Sequence, residues 1–150
     1  MKKRIIALGL LWCLFAVMLQ AARVDTVLVR SAAMNKDVKV VYVLPDKAIG
    51  KQACPVVYLL HGYGGNARSW VQLKPELPQM ADEKGIIFVC PDGKNSWYWD
   101  SPENPAYRYE TFVTSELVKY TDGNYATIPD RKARAISGLS MGGHGALWSA

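Results

Sequence analysis

The sequence predicts an α/β fold: a mostly parallel sheet with an antiparallel pair at its N-terminal edge and helices on both faces. Three observations predict it. Residues 55–60 (Pro-Val-Val-Tyr-Leu-Leu) and 86–90 (Ile-Ile-Phe-Val-Cys) are almost continuously apolar, as strands covered on both faces must be. Helical segments stand between and after them, the alternation that builds a parallel sheet. At residues 135–150 an apolar strand runs into Gly138-Leu139-Ser140-Met141-Gly142, and a small-residue helix follows.

Residues 1–21 read as a secretory signal. Lys2, Lys3 and Arg4 precede an apolar run over residues 5–19, and Gln20-Ala21-Ala22 supplies small residues at the exit. Cleavage is expected after Ala21 or Ala22. The run is shorter than the roughly 20 residues a membrane span needs, although an uncleaved anchor is the competing reading. Cys13 lies within it and lacks the preceding small residue that lipidation requires. Without the three basic residues of the leader the formal charge falls from +5 to +2. An exported chain, periplasmic or secreted, with no stable membrane association after cleavage, is the expectation.

Residues 24–30 and 38–44 alternate as half-exposed strands, and Met34-Asn35-Lys36-Asp37 between them is a polar turn, so they form the antiparallel edge pair. Pro45 and Gly50 mark a loop. Residues 69–84 are broadly helical, interrupted at Pro75 and Pro78 and stopped at Gly85. Asn104-Pro105 reads as a cap and first helical position. Tyr109, Phe112, Val113, Leu117 and Tyr120 then recur at helical spacing until Asp122-Gly123. Glu110 and Glu116 are expected to be solvated or capping. Arg131, Lys132 and Arg134 lack interleaved aromatics and read as a solvated strand entry, so no nucleic-acid partner is expected. Cys54 opens one strand and Cys90 closes its neighbour, which places them too far apart for a disulfide and makes them buried thiols.

Two stretches carry chemistry. The G-x-S-x-G motif is a nucleophile elbow: Ser140 sits at a strained turn between strand and helix, and its neighbours at Gly138 and Gly142 must lack side chains because the two elements pass closely. Ser140 is the candidate nucleophile, with the helix-starting Met141 amide aimed at charge developing on a substrate oxygen. The other is His61-Gly62-Tyr63-Gly64-Gly65, at the carboxyl end of the strand over residues 55–60. Its glycines allow close backbone approach, and the Tyr63 amide is the candidate second oxyanion donor. His61 is read as a neutral brace of this loop. Trp97 and Trp99, in the loop Ser96-Trp97-Tyr98-Trp99-Asp100, either wall a substrate site or cap the sheet. No cluster has metal-ligand spacing and the glycine loop lacks the Lys-Ser/Thr of a phosphate loop, so no cofactor or metal is expected.

With elbow and glycine loop together the sequence resembles the α/β-hydrolase superfamily. More narrowly it resembles the esterase D group, which includes S-formylglutathione hydrolases, antigen 85 mycolyltransferases and bacterial carbohydrate esterases of the acetyl-xylan and feruloyl type. Leu60-His61-Gly62-Tyr63-Gly64-Gly65, Ser96-Trp97-Tyr98-Trp99-Asp100, residues 109–117 and Gly138-Leu139-Ser140-Met141-Gly142-Gly143 carry the likeness. The resemblance implies a serine carboxylic-ester hydrolase acting on small-molecule or carbohydrate esters. An acyltransferase and a non-catalytic, vestigial or binding fragment are the alternatives. It also implies an Asp or Glu and then a His after the serine, yet ten residues follow Ser140. His144 should lie along the helix flank, away from the hydroxyl. Residues 22–150 are therefore expected to be the N-terminal part of an incomplete α/β-hydrolase domain, nearly inactive alone because triad loss costs roughly 10⁴ to 10⁶ in turnover.

Overall fold

A computed structural model describes residues 22–150; the leader reading and Cys13 lie outside the described residues. Five strands form one sheet in the order β1-β2-β4-β3-β5. β1 (Arg23–Ser31) and β2 (Lys36–Leu44) are the antiparallel pair, joined through a turn at which Asn35 takes a positive φ of 50°. β3 (Val56–Leu60), β4 (Ile87–Pro91) and β5 (Arg134–Gly138) run parallel, and β2 meets β4 antiparallel.

Helices cover both faces because side chains alternate along each strand. Val40, Tyr42, Val56, Tyr58, Ile87 and Val89 point into one core, closed by Tyr109, Phe112, Val113, Leu117 and Met141. Val41, Val43, Leu59, Phe88 and Cys90 point into the other, closed by Leu77 and Ala81. β2 is thus buried on both faces over residues 40–44 rather than half-exposed, since it lies inside the sheet between β1 and β4. Cys54 belongs to the first core and Cys90 to the second, so the two unbridged thiols face opposite sides of the sheet. Burial pushes the Cys90 thiol up to about 12.

The helical pattern over residues 69–84 resolves into α2 (Ser69–Leu73) and α3 (Leu77–Lys84), and Gly85 ends α3 with a φ of 63°. A single turn, α1 (Asp46–Ile49), occupies the loop between Pro45 and Gly50. The Asn104-Pro105 reading needs correction. Asn104 caps a turn, its Oδ1 accepting from the Ala106 amide at 3.0 Å, and the helix begins only at Tyr109. The cap comes from Asp100, which accepts from the Thr111 amide at 3.0 Å and its hydroxyl at 2.5 Å. α4 (Tyr109–Thr111), a π-helical turn (Phe112–Glu116) and α5 (Leu117–Asn124) continue one another. Glu116 is bonded to the Ser31 hydroxyl at 2.6 Å and the Ala33 amide at 2.9 Å, tying this helix to β1. Arg134 pairs with Asp122 and is half-buried, not solvated.

The chain runs from β3 to β4 on one side and returns to β5 on the other, so strand order reverses at β3. Crevices for ligands open at the carboxyl ends of strands at such a point. The glycine loop after β3 and the serine turn after β5 meet there.

Candidate active site

Leu139 and Ser140 separate β5 from α6 (Met141–Ser149). Ser140 takes φ 52° and ψ −115°, a conformation costly for a residue with a side chain, and stands exposed. The close approach dictates the flanking glycines. A Cβ on Gly138 would lie 2.2 Å from the Gly142 backbone, and one on Gly142 would lie 2.2 Å from the Leu60 carbonyl oxygen. The Leu139 amide donates to that same Leu60 oxygen at 3.2 Å, locking the turn against the end of β3.

The glycine loop is in contact with this turn. A Cβ on Gly62 would stand 3.6 Å from the Ser140 Cβ. Among the described residues no acceptor takes the amide of Tyr63 or of Met141, whereas Gly64 donates to Asn95 Oδ1 at 2.8 Å and Gly65 to the Gly62 carbonyl at 3.0 Å. Two donors without a protein acceptor thus adjoin this contact, Tyr63 following Gly62 on the loop and Met141 following Ser140 at the helix start. The Tyr63 side chain itself is exposed.

His61 is buried and braced from both sides. Its Nε2 accepts from the Gly93 amide at 2.9 Å, so the ring proton must sit on Nδ1, which donates to the Gly62 carbonyl at 2.7 Å. That tautomer leaves neither nitrogen free for proton transfer. Next to it, burial works against charge on Asp92, but the Lys94 ammonium at 2.8 Å and amide at 3.0 Å hold its carboxyl well below the usual range.

The aromatic loop divides by residue. Trp97 and Tyr98 both take positive φ, 58° and 57°, and the two tryptophans face solvent while Tyr98 turns inward and is fully buried. The Tyr98 hydroxyl accepts from the His61 amide at 2.9 Å and lies 3.2 Å from the His61 carbonyl, to which it donates. Its side chain fills the space that Gly93 and Gly145 leave, since a Cβ on Gly93 would lie 2.2 Å from the ring and one on Gly145 2.6 Å from the Tyr98 Cβ. One side chain therefore joins the aromatic loop, the glycine loop and α6. Trp97 and Trp99 border a cleft of about 430 Å³ completed by His144 and Trp148. The His144 ring meets Trp97 edge-on at 5.6 Å, and the Trp148 indole donates to Glu110 Oε2 at 2.9 Å.

The structure sets the loop of Tyr63, through Gly62, against the turn of Ser140 and Met141, and places Trp97 and Trp99 around His144, one helical turn along α6. Sequence reasoning passed over Tyr98 as an anchor and Trp148 as a cleft wall. The signal for Trp148 was present, because residues 140, 144 and 148 follow one stripe of α6.

A family model described as "Putative esterase" matches residues 31–150. The chain is 30% identical over 125 residues to an acetyl esterase of Caldicellulosiruptor saccharolyticus, covering 78% of this chain and 46% of that protein. It is 32% identical over 134 residues to the diacylglycerol acyltransferase/mycolyltransferase Ag85A of Mycobacterium gordonae, covering 83% and 37%. Among solved structures, an S-formylglutathione hydrolase from Agrobacterium tumefaciens superposes with a TM-score of 0.75 at 29% identity, covering 85% of this chain and 52% of that one. The chain spans between about a third and a half of the length of these relatives.

Proposed function

We propose, from the premise that the chain belongs to the "Putative esterase" family, that it carries the nucleophile half of a serine carboxylic-ester hydrolase. The α/β-hydrolase fold supports the reading, and one observation carries it: an exposed serine held at φ 52° beside two unsatisfied backbone amides. The Ser140 oxygen attacks the acyl carbonyl and passes its proton to a base. The Tyr63 and Met141 amides hold the tetrahedral oxyanion, which collapses as the alcohol leaves with that proton. Water then attacks the acyl-enzyme and frees the acid, regenerating Ser140.

Neither of the chain's two histidines suits the role of base. His61 has both nitrogens engaged, and the His144 ring lies against Trp97 and Trp148. The base and its acid partner are proposed to lie in sequence beyond these 150 residues, which makes the chain alone nearly inactive. Trp97 and Trp99, with His144 and Trp148, are proposed to hold the part of the ester next to the scissile bond: a short acyl group or the sugar ring of an acylated carbohydrate. The basic and apolar leader supports an exported, periplasmic or secreted, enzyme.

Fluorophosphonate labelling of the extended protein tests the nucleophile. The parent should label and Ser140→Ala should not; equal labelling of the two ends the assignment. The Ag85A relative gives transfer to a sugar hydroxyl as the second reading. Free acid released at the same rate with and without a sugar acceptor decides for hydrolysis.

A further inference from the structure

Ala22, the first described residue, is 7% exposed and packs in the core of Val41, Val43, Leu77 and Ala81. Its backbone nitrogen donates to Asp82 Oδ2 at 2.7 Å, and the other oxygen of that carboxylate accepts from the Asp46 amide at 2.8 Å. The register of β1 on β2, with Arg23 opposite Leu44, carries Ala22 to Pro45, directly beside Asp46. The Asp82 carboxylate thus holds the nitrogen of residue 22, and the Asp46 carboxylate is close enough to Asp82 to feel its charge.

Among the described residues neither carboxylate forms a salt bridge, and Asp46 Oδ1 finds no hydrogen-bond partner. Asp82 also lies in the last turn of α3, where the helix dipole disfavours a negative charge. Burial and the neighbouring Asp82 carboxylate push the Asp46 carboxyl above its ordinary value. A cation beside these carboxylates would relieve their repulsion, and the nitrogen already in hydrogen-bond contact becomes one if the chain is cut immediately before it.

We propose that the leader is removed between Ala21 and Ala22, and that the new α-ammonium of Ala22 is received by Asp82 and Asp46 as a processing-dependent ion pair. Hydrolysis of the Ala21–Ala22 peptide bond by a leader peptidase adds hydroxide to the Ala21 carbonyl and a proton to the Ala22 nitrogen. At neutral pH that amine takes up a second proton and offers three donors where the peptide offered one. The contact at 2.7 Å turns from a neutral hydrogen bond into a charge-assisted one. Of the two cut points the leader allows, only this one works: a cut after Ala22 would remove the donor and a residue of the core. The mature fold is then fastened by a bond that the unprocessed chain cannot make, so export and final stability are coupled.

The test uses the full-length protein and needs no catalytic readout, so its result stands apart from the esterase assignment. Intact mass of the protein exported with its own leader should give Ala22 as the first residue; Arg23, or an uncut chain, overturns the proposal. Full-length protein beginning at Ala22 is then compared with the same protein carrying a Gly-Ser extension before Ala22. The extension should lower Tm by about 2–4 °C, the scale of one such contact in a domain of that size. Asp82→Asn should lower Tm in the protein beginning at Ala22 and have a smaller effect in the extended one. Equal Tm for the two wild-type N-termini, which requires no substitution to fold, overturns the ion pair, as does an equal Asp82→Asn effect in both.

Discussion

At the scale of single residues, the site is held by side chains that never meet a substrate. Tyr98 spends its hydroxyl on both backbone polar groups of His61, two residues ahead of the Tyr63 amide. Tyr98→Phe keeps the ring between Gly93 and Gly145 and leaves the buried His61 amide short of an acceptor, a loss of about 1–3 kcal/mol. In the extended protein it should slow fluorophosphonate labelling while the unfolding free energy falls only by that amount. Unchanged labelling and unchanged stability would show the hydroxyl to be idle. Asp92 gives a pH-dependent counterpart. Its folded pKa is depressed, so its stabilising effect is complete above the ordinary carboxylate value near 4 and is lost as pH falls through the folded value. Asp92→Asn should therefore lower Tm at pH 7, and the gap to the parent should narrow steadily below about pH 4. A gap of constant size down to pH 2 would mean that the charge contributes nothing.

At the scale of elements, legibility follows how local the cause is. The elbow was readable because Gly138, Ser140 and Gly142 answer a steric demand made within five residues, and the backbone shows that demand at 2.2 Å. The strands over residues 55–60 and 86–90 were readable because burial on both faces leaves no room for polar residues. β2 was misjudged for the complementary reason. Lys36, Asp37 and Lys39 mark its exposed start, and nothing in the strand itself says that β4 will pair beside it and bury residues 40–44. The helix start at Tyr109 was likewise hidden. Asn104-Pro105 has the local chemistry of a cap, but the carboxylate that accepts from the first turn is Asp100, brought there by the bridge between Asp100 and Arg108. Tyr98 escaped notice because two successive positive φ angles reverse the outward and inward order of the loop, and those angles follow from tertiary packing.

At the scale of the whole molecule, the described sheet has two dissimilar edges. β1 closes one side with charged Arg23, Asp25 and Arg30 along it, the kind of strand that discourages further pairing. β5 pairs with β3 on one side only among the described residues, and Ala135 and Ser137 stand exposed along it. Beside it lies a cavity of about 540 Å³ walled by Tyr58, Val113, Val118 and Ile136, and on α6 Leu147 is 86% exposed. An open strand edge next to exposed apolar surface is a template for association. The polypeptide of residues 22–150 should therefore self-associate with rising concentration, followed by light scattering or sedimentation. Replacing Ala135 and Ser137 with lysine puts charge on that edge without touching either core, and should shift the same material toward monomer. If the parent sediments as a monomer at every soluble concentration, or if the two lysines leave its association unchanged, the β5 edge is not the surface responsible. Ser140 lies just past the end of β5, so labelling of associated and monomeric fractions of the extended protein would also show whether edge pairing closes the entrance to the site.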